Sequence, residues 1–302
     1  MKKRTRLWLI IAASLLLTGS IMVGVVMTML NWDFSKLTTY SYVTNQHTPE
    51  GTFTNISVEA DTADIVFLPS ENGICTVECY EMENAQHSVT VANGTLEIRV
   101  EDNRKLYEYI GINFDKPKIT VYLPQAQYDE LAIRSCTGDV TIRHPYTFGN
   151  VQIALSTGDI QISNLSAYTM HLSVSTGKIT VSDSECSGAL NVFVTTGKSH
   201  LKNIICQYFS SGGGTGDVSL QHVVATGTMT ILRSTGDITL SGCDAGEIII
   251  DTNTGDVTGT LLSEKMFFAH ANTGRVEVPK TNTGGRCEIT TDTGDITISI
   301  VN

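Results

Sequence analysis

An aspartate follows a threonine–glycine pair six times in this chain, at Asp139, Asp159, Asp217, Asp237, Asp256 and Asp295. Lys178, Lys198 and Arg275 take the same place in three further copies. If successive copies stack as neighbouring strands, about 4.8 Å apart, these side chains form one outward ladder. Like charges held that close repel. A divalent cation would relieve the repulsion, because calcium takes oxygen ligands at about 2.3–2.6 Å. Asp217, Asp237 and Asp256 follow one another in the column and are the candidate calcium ligands. The competing account is that aspartate is simply a good turn residue. The two lysines also break the column, as a row of metal sites would not.

The seven cysteines raise the other chemical question. Cys75 and Cys79 are four residues apart on one expected strand, about 13 Å, too far for a bond between them. Cys186 and Cys206 fall where other copies have Ala167, Ala225 and Ala245, and Cys287 falls in a column of Leu, Met and Phe. These are core columns, so buried, reduced thiols are expected. Neighbouring copies lie close enough for a Cys186–Cys206 disulfide as the alternative. No CxxC occurs and the seven histidines share no column, so neither a metal centre nor a cofactor is expected. No residue reads as catalytic.

The elements that carry these residues follow from the spacing. The motif glycines are Gly138, Gly158, Gly177, Gly197, Gly216, Gly236, Gly255, Gly274 and Gly294, at steps of 19 or 20 residues. After each glycine apolar residues alternate, as at Ile160/Ile162 and Ile238/Leu240. Before it they alternate as well, as at Val151/Ile153 and Ile248/Ile250. Period-two alternation means a strand with one buried face. One copy cannot bury that face alone, whereas stacked copies can. The reading is an all-β chain forming a right-handed parallel β-solenoid, 19–20 residues and two strands per coil.

These repeats resemble those of the bacterial putative-adhesin family of β-strand-repeat envelope proteins, which repeat S-T-G-D-[IV] behind a membrane anchor. The likeness covers roughly residues 50–302 and includes "ADTADIVFLPS" at 60–70 and "ITVYLP" at 119–124. It implies a bacterial envelope protein and supplies no site.

The first thirty residues differ in kind. "MKKRTR" is followed by 24 uncharged residues, Leu7–Leu30. As a helix these span about 36 Å, enough to cross a bilayer. Trp8 and Trp32 mark its two ends, and the basic flank places the N-terminus in the cytoplasm. The expected plan is a cytoplasmic tail (1–6), a transmembrane helix (7–30), a linker (31–49), an N-terminal β cap with a hairpin at Asn93-Gly94 (50–130) and the repeats (131–302). Tyr107, Tyr109 and Phe114 lie in a long loop of the cap and form a candidate contact surface. Residues 31–302 hold all 31 acidic but 16 of the 20 basic residues, a net charge of −15. That speaks against nucleic acid as a partner.

The expected function is that of a membrane-anchored, extracytoplasmic, non-catalytic binding or scaffolding module, adhesin-like, for an envelope protein or cell-wall component. The alternative is an envelope structural protein that assembles end to end. The last strand alternates Ile296, Ile298 and Ile300 and would leave an open apolar tip for such self-association. A polysaccharide-processing enzyme ranks third, because coils of constant length leave no room for cleft-building loops.

Overall fold

The computed structural model describes residues 3–33, 41–102 and 115–301. The molecule is 68% β, a β-solenoid of about nine turns behind one apolar helix. That helix, Lys3–Met29, is long and apolar enough to cross a membrane, and nearly all of its large apolar side chains are exposed, Met27 being the buried exception. Its hydroxyls bond back to helix carbonyls, Ser14 to Ile11, Thr18 to Ser14 and Thr28 to Gly24. These polar groups are thereby satisfied without water.

Each coil turns at its threonine–glycine pair. The motif glycines have φ between 128° and 150°, the left-handed side that other residues avoid. A second reason is crowding. A Cβ on Gly158 would run into the carbonyl oxygen of Gly138, and the same holds for every motif glycine against the corner beneath it. Six residues after the glycine the chain turns again, at Asn164, Asp183, Asn203, His222 and Gly242, all with positive φ. Asparagine and aspartate tolerate this conformation best after glycine. In the middle of the rod the two runs of each coil merge into long strands, Ile179–Thr196, Ser199–Thr215, Val218–Thr235 and Ile238–Thr254. The residues between the runs join the ladder, with Cys186 in register with Cys206 and Cys206 with Ala225. Inside, Ile, Val, Leu, Met and Phe form columns that are fully buried. Each such side chain contributes about 1.5–3 kcal/mol relative to exposure.

Stacking order departs from chain order at both ends. The last strands, Gly285–Thr293 and Ile296–Ile300, lie between the coil of Gly255 and the coil of Gly274. Ile296 and Ile298 are therefore buried, at 0% and 4% exposure, and do not form an open tip. The expected isoleucine edge is corrected: the whole of the last strand pairs with Val257–Leu261, its first two residues pair with Val276–Glu277 on the other side, and Ile300 is left partly buried. The distal edge is instead Lys265–Thr273 with Val276–Glu277.

At the other end, Asn55–Thr62 and Asp64–Pro69 form a coil beneath that of Gly138, with Ala63 at its corner. Below it lie Thr95–Asp102 and Lys118–Leu123, also parallel. The sheet thus continues through residue 131 without a boundary. Three strands then add in antiparallel fashion: Ala85–Ala92 against Thr95–Asp102, Thr76–Met82 against Lys118–Leu123, and Tyr42–His47 outermost. Asn93 and Gly94, both at positive φ, make the hairpin turn. Tyr107, Tyr109 and Phe114 lie outside the described residues.

Candidate binding surface in the middle of the rod

The outward corner column is a chain of hydrogen bonds. The backbone N–H of Asp159 donates to Asp139 Oδ1 at 2.8 Å, and that of Lys178 to Asp159 Oδ1 at 2.7 Å. Asp237 donates likewise to Asp217 at 3.3 Å, and Asp256 to Asp237 at 2.9 Å. Each aspartate caps the N–H of the coil above it, an acceptor role that asparagine or serine fills less strongly than a charged carboxylate. Arg275 ends the column: its N–H donates to Asp295, and no coil lies above to need an acceptor. Asp217, Asp237 and Asp256, the candidate calcium ligands, are thus bonded one to the next through backbone N–H groups. They do not converge as a ligand set. Among the described residues, the one group of His, Cys, Asp or Glu whose donor atoms all lie within 4.8 Å of one another is elsewhere.

Lys178 and Lys198 have no such structural explanation, since an ammonium cannot accept. Lys198 Nζ lies 2.9 Å from Asp217 Oδ2. This hydrogen bond lowers the Asp217 pKa from its ordinary value and raises that of Lys198. Both lysines line a depression of about 320 Å³ with His200, Ser219, Asp237 and Thr239.

The same coils are irregular inside. Arg233, only 4% exposed, occupies an inward position held by Val194 two coils below. Its Nη1 donates to the carbonyls of Val194 (3.0 Å) and Gly212 (3.2 Å). Its Nη2 donates to the hydroxyls of Ser199 (3.0 Å) and Ser211 (3.4 Å). Burial pulls the guanidinium pKa down. Ser199 stands in a column of Ile and Val, and Ser211 in a column of Ile, Leu and Val. A Cβ on Gly213 would collide with Arg233 Nη1. Ser199 and Ser211 thus give hydrogen bonds to a single buried cation and Gly213 leaves it room, although a Cβ on Gly213 would also meet the carbonyl oxygen of Val194.

Outside, these coils carry aromatic rings. Tyr168, Phe193 and Tyr208 are roughly half exposed or more, as are Ile205 and Leu232. Each ring lies over a glycine of the next coil: Tyr168 over Gly188, Phe193 over Gly212, Tyr208 over Gly227. Phe193 and Leu232 share one outward column, with Gly212 between them. Lysines in the acid column, a buried arginine and surface rings are all concentrated between Tyr168 and Arg233. Where several local rules break together, function is the usual reason. The sequence reading saw the lysines but not the rings, because alternation alone does not distinguish an outward Tyr from an outward Thr.

The sequence reading also missed a buried polar cluster in the cap. Cys79, Glu81 and His87 are 0%, 1% and 7% exposed. Glu81 Oε2 accepts from both Nδ1 and the backbone N of His87, each at 2.6 Å, and Oε1 accepts from Asn45 Nδ2 at 2.7 Å. The available signal was the alternation Val77, Cys79, Glu81, which puts a carboxylate on a face otherwise apolar. The cysteines are all free thiols, buried except for Cys136. Cys186 and Cys206 are in register but unbonded.

A family model described as Toastrack DUF4097 matches residues 53–299. No curated protein matches the chain. Among solved structures, a "putative adhesin" from Bacteroides fragilis is similar over 86% of this chain and 97% of its own, at 17% identity and TM-score 0.51. A "putative lipid binding protein" from Parabacteroides distasonis is similar over 88% of this chain and 98% of its own, at 12% identity and TM-score 0.52. At such identities the likeness is one of fold.

Proposed function

The chain belongs to the Toastrack DUF4097 family, and from that premise we propose that it is a membrane-anchored, extracytoplasmic and non-catalytic binding module that recognises its partner with the side of the rod. The observation that carries this reading is the concentration of exposed rings at Tyr168, Phe193 and Tyr208 in the coils where the acid column turns basic at Lys178 and Lys198. Exposed aromatic rings are enriched as anchors of recognition surfaces, and charged groups nearby steer a partner of opposite charge. The helix Lys3–Met29 would hold the rod to the membrane, with its basic flank inside. The partner fitting this surface is an envelope protein or cell-wall component offering apolar area with some negative charge. The names of the structural neighbours, a putative adhesin and a putative lipid-binding protein, agree with binding rather than catalysis.

A second reading is favoured by the distal end, where Met266, Phe268 and Val276 are exposed. There the rods would join end to end. A photo-crosslinking residue placed in the full-length protein in its native membrane separates the two. Adducts with another envelope component from position 193 and none from 268 are expected. Self-adducts from 268, with none from 193, would establish the assembly reading instead.

A further inference from the structure

The cap holds a thiol, a carboxylate and an imidazole in one buried place. Cys79 and Glu81 are alternate residues on the inward face of Thr76–Met82, and His87 comes from the neighbouring Ala85–Ala92. Their donor atoms lie within 4.8 Å of one another. Tetrahedral zinc, with bonds of about 2.0–2.3 Å, needs donors about 3.3–3.8 Å apart, so movements of about 1 Å would close the set. A carboxylate this deep is costly to desolvate. His87 is its one ion-pair partner among the described residues. We propose that Cys79, Glu81 and His87 form a zinc-binding site that fastens the outermost strands of the cap together.

Sulfur and nitrogen donors select against calcium and magnesium, which take oxygen, and suit zinc. Three protein ligands leave a fourth position for water. The metal is held by a thiolate, a neutral imidazole and a carboxylate, and each proton displaced from these groups on binding passes to solvent. No electron moves. Burial pushes the Cys79 thiol up to about 12, so the proton is present at neutral pH and is displaced by the metal. Asn45, from Tyr42–His47, orients the carboxylate through its other oxygen, the outer-shell role that metal ligands commonly receive. The site thereby links the strand that enters the fold from the membrane side to the two strands behind it.

Cobalt(II) is the probe. One equivalent of cobalt chloride is added to the full-length protein in detergent, previously stripped of metal with a chelator. The expected result is a near-ultraviolet thiolate-to-cobalt absorption with visible bands of tetrahedral intensity, both erased by one equivalent of zinc. Cys79→Ser should abolish the near-ultraviolet band, and Cys136→Ser, at the exposed thiol, should leave it. His87→Gln should weaken zinc binding by more than about tenfold, the loss seen even for outer-shell changes. Absence of a cobalt–thiolate band in the unsubstituted protein overturns the proposal, whatever the folding of the variants. So does a band that survives Cys79→Ser or an unchanged affinity in His87→Gln.

Discussion

The backbone N–H of Asp295 donates to Asp256 Oδ1 at 2.7 Å, although the two residues are 39 apart and another repeat lies between them in sequence. The last strand has slipped between two coils that are neighbours in the chain. Ile298 then sits in register with Gly259 and is buried. Ile298→Lys should therefore destabilise the domain, by about 3 kcal/mol or more, since it buries an unpaired ammonium. Denaturant titration measures the loss. A variant of unchanged stability would mean that the strand is not inserted.

Corner glycines should be unequal to other glycines. Gly216→Ala meets both an unfavourable φ and the carbonyl of Gly197. Gly94→Ala, in the cap hairpin, has φ +74° and nothing within 4 Å. The hairpin change should cost about 1–2 kcal/mol, the left-handed penalty alone. The corner change should cost clearly more, with loss of folded yield. Equal costs would show that close stacking of the corners is not what demands glycine.

Arg233 and the small residues beneath it should be coupled. Gly213→Val alone places a side chain where Arg233 Nη1 and the Val194 carbonyl oxygen lie and should be severely destabilising, and only the first of these clashes can be relieved by shortening Arg233. Arg233→Val alone leaves a void and should cost about 2–4 kcal/mol. The double variant should be more stable than the sum of the two predicts, by at least about 1 kcal/mol. Strict additivity in a double-mutant cycle would mean that the two side chains do not share the space.

What the residues announced and what they did not can be separated physically. The coils were legible because Thr-Gly and the alternating Ile, Val and Leu serve every coil alike. Stacking order was not legible. Arg275 looks like an interior exception to the aspartates and proves to be the last member of the column, which only the ladder itself reveals. The buried arginine hid for a similar reason: Ser199, Ser211 and Gly213 each look like a weak local lapse, and the arginine they accommodate lies 20 or more residues away. The cap cluster required knowing that Thr76–Met82 and Ala85–Ala92 face one interior.

Thiol chemistry gives a prediction in pH. Burial raises Cys79, Cys206 and Cys287 to about 12 and Cys75 to about 11, from an ordinary value of 9.0. The folded chain holds these protons more tightly than the unfolded chain does. Their contribution to stability is thus intact below pH 9 and is lost as pH rises toward 12. The denaturation midpoint should fall steadily across that window. At neutral pH Cys136, the exposed thiol, should react first with a thiol reagent, slowed by its hydrogen bond to Asp61, and the other six only on unfolding. Several fast thiols would contradict the burial.

The displaced end strands also govern when the fold is complete. As the chain is made from its N-terminus, the coil of Ala63 acquires its upper neighbour only after residue 127 has appeared. The coil of Gly274 finds no parallel partner until residues 285–300 arrive. Contacts between such distant segments form late, because loop closure must precede them. The final strand acts as a bolt: until the last fifteen or so residues are available, the distal coil hangs loose and the interior above Gly255 stands open. A variant lacking residues 285–300 loses the strands that cover the coil of Gly255 and that join it to the coil of Gly274.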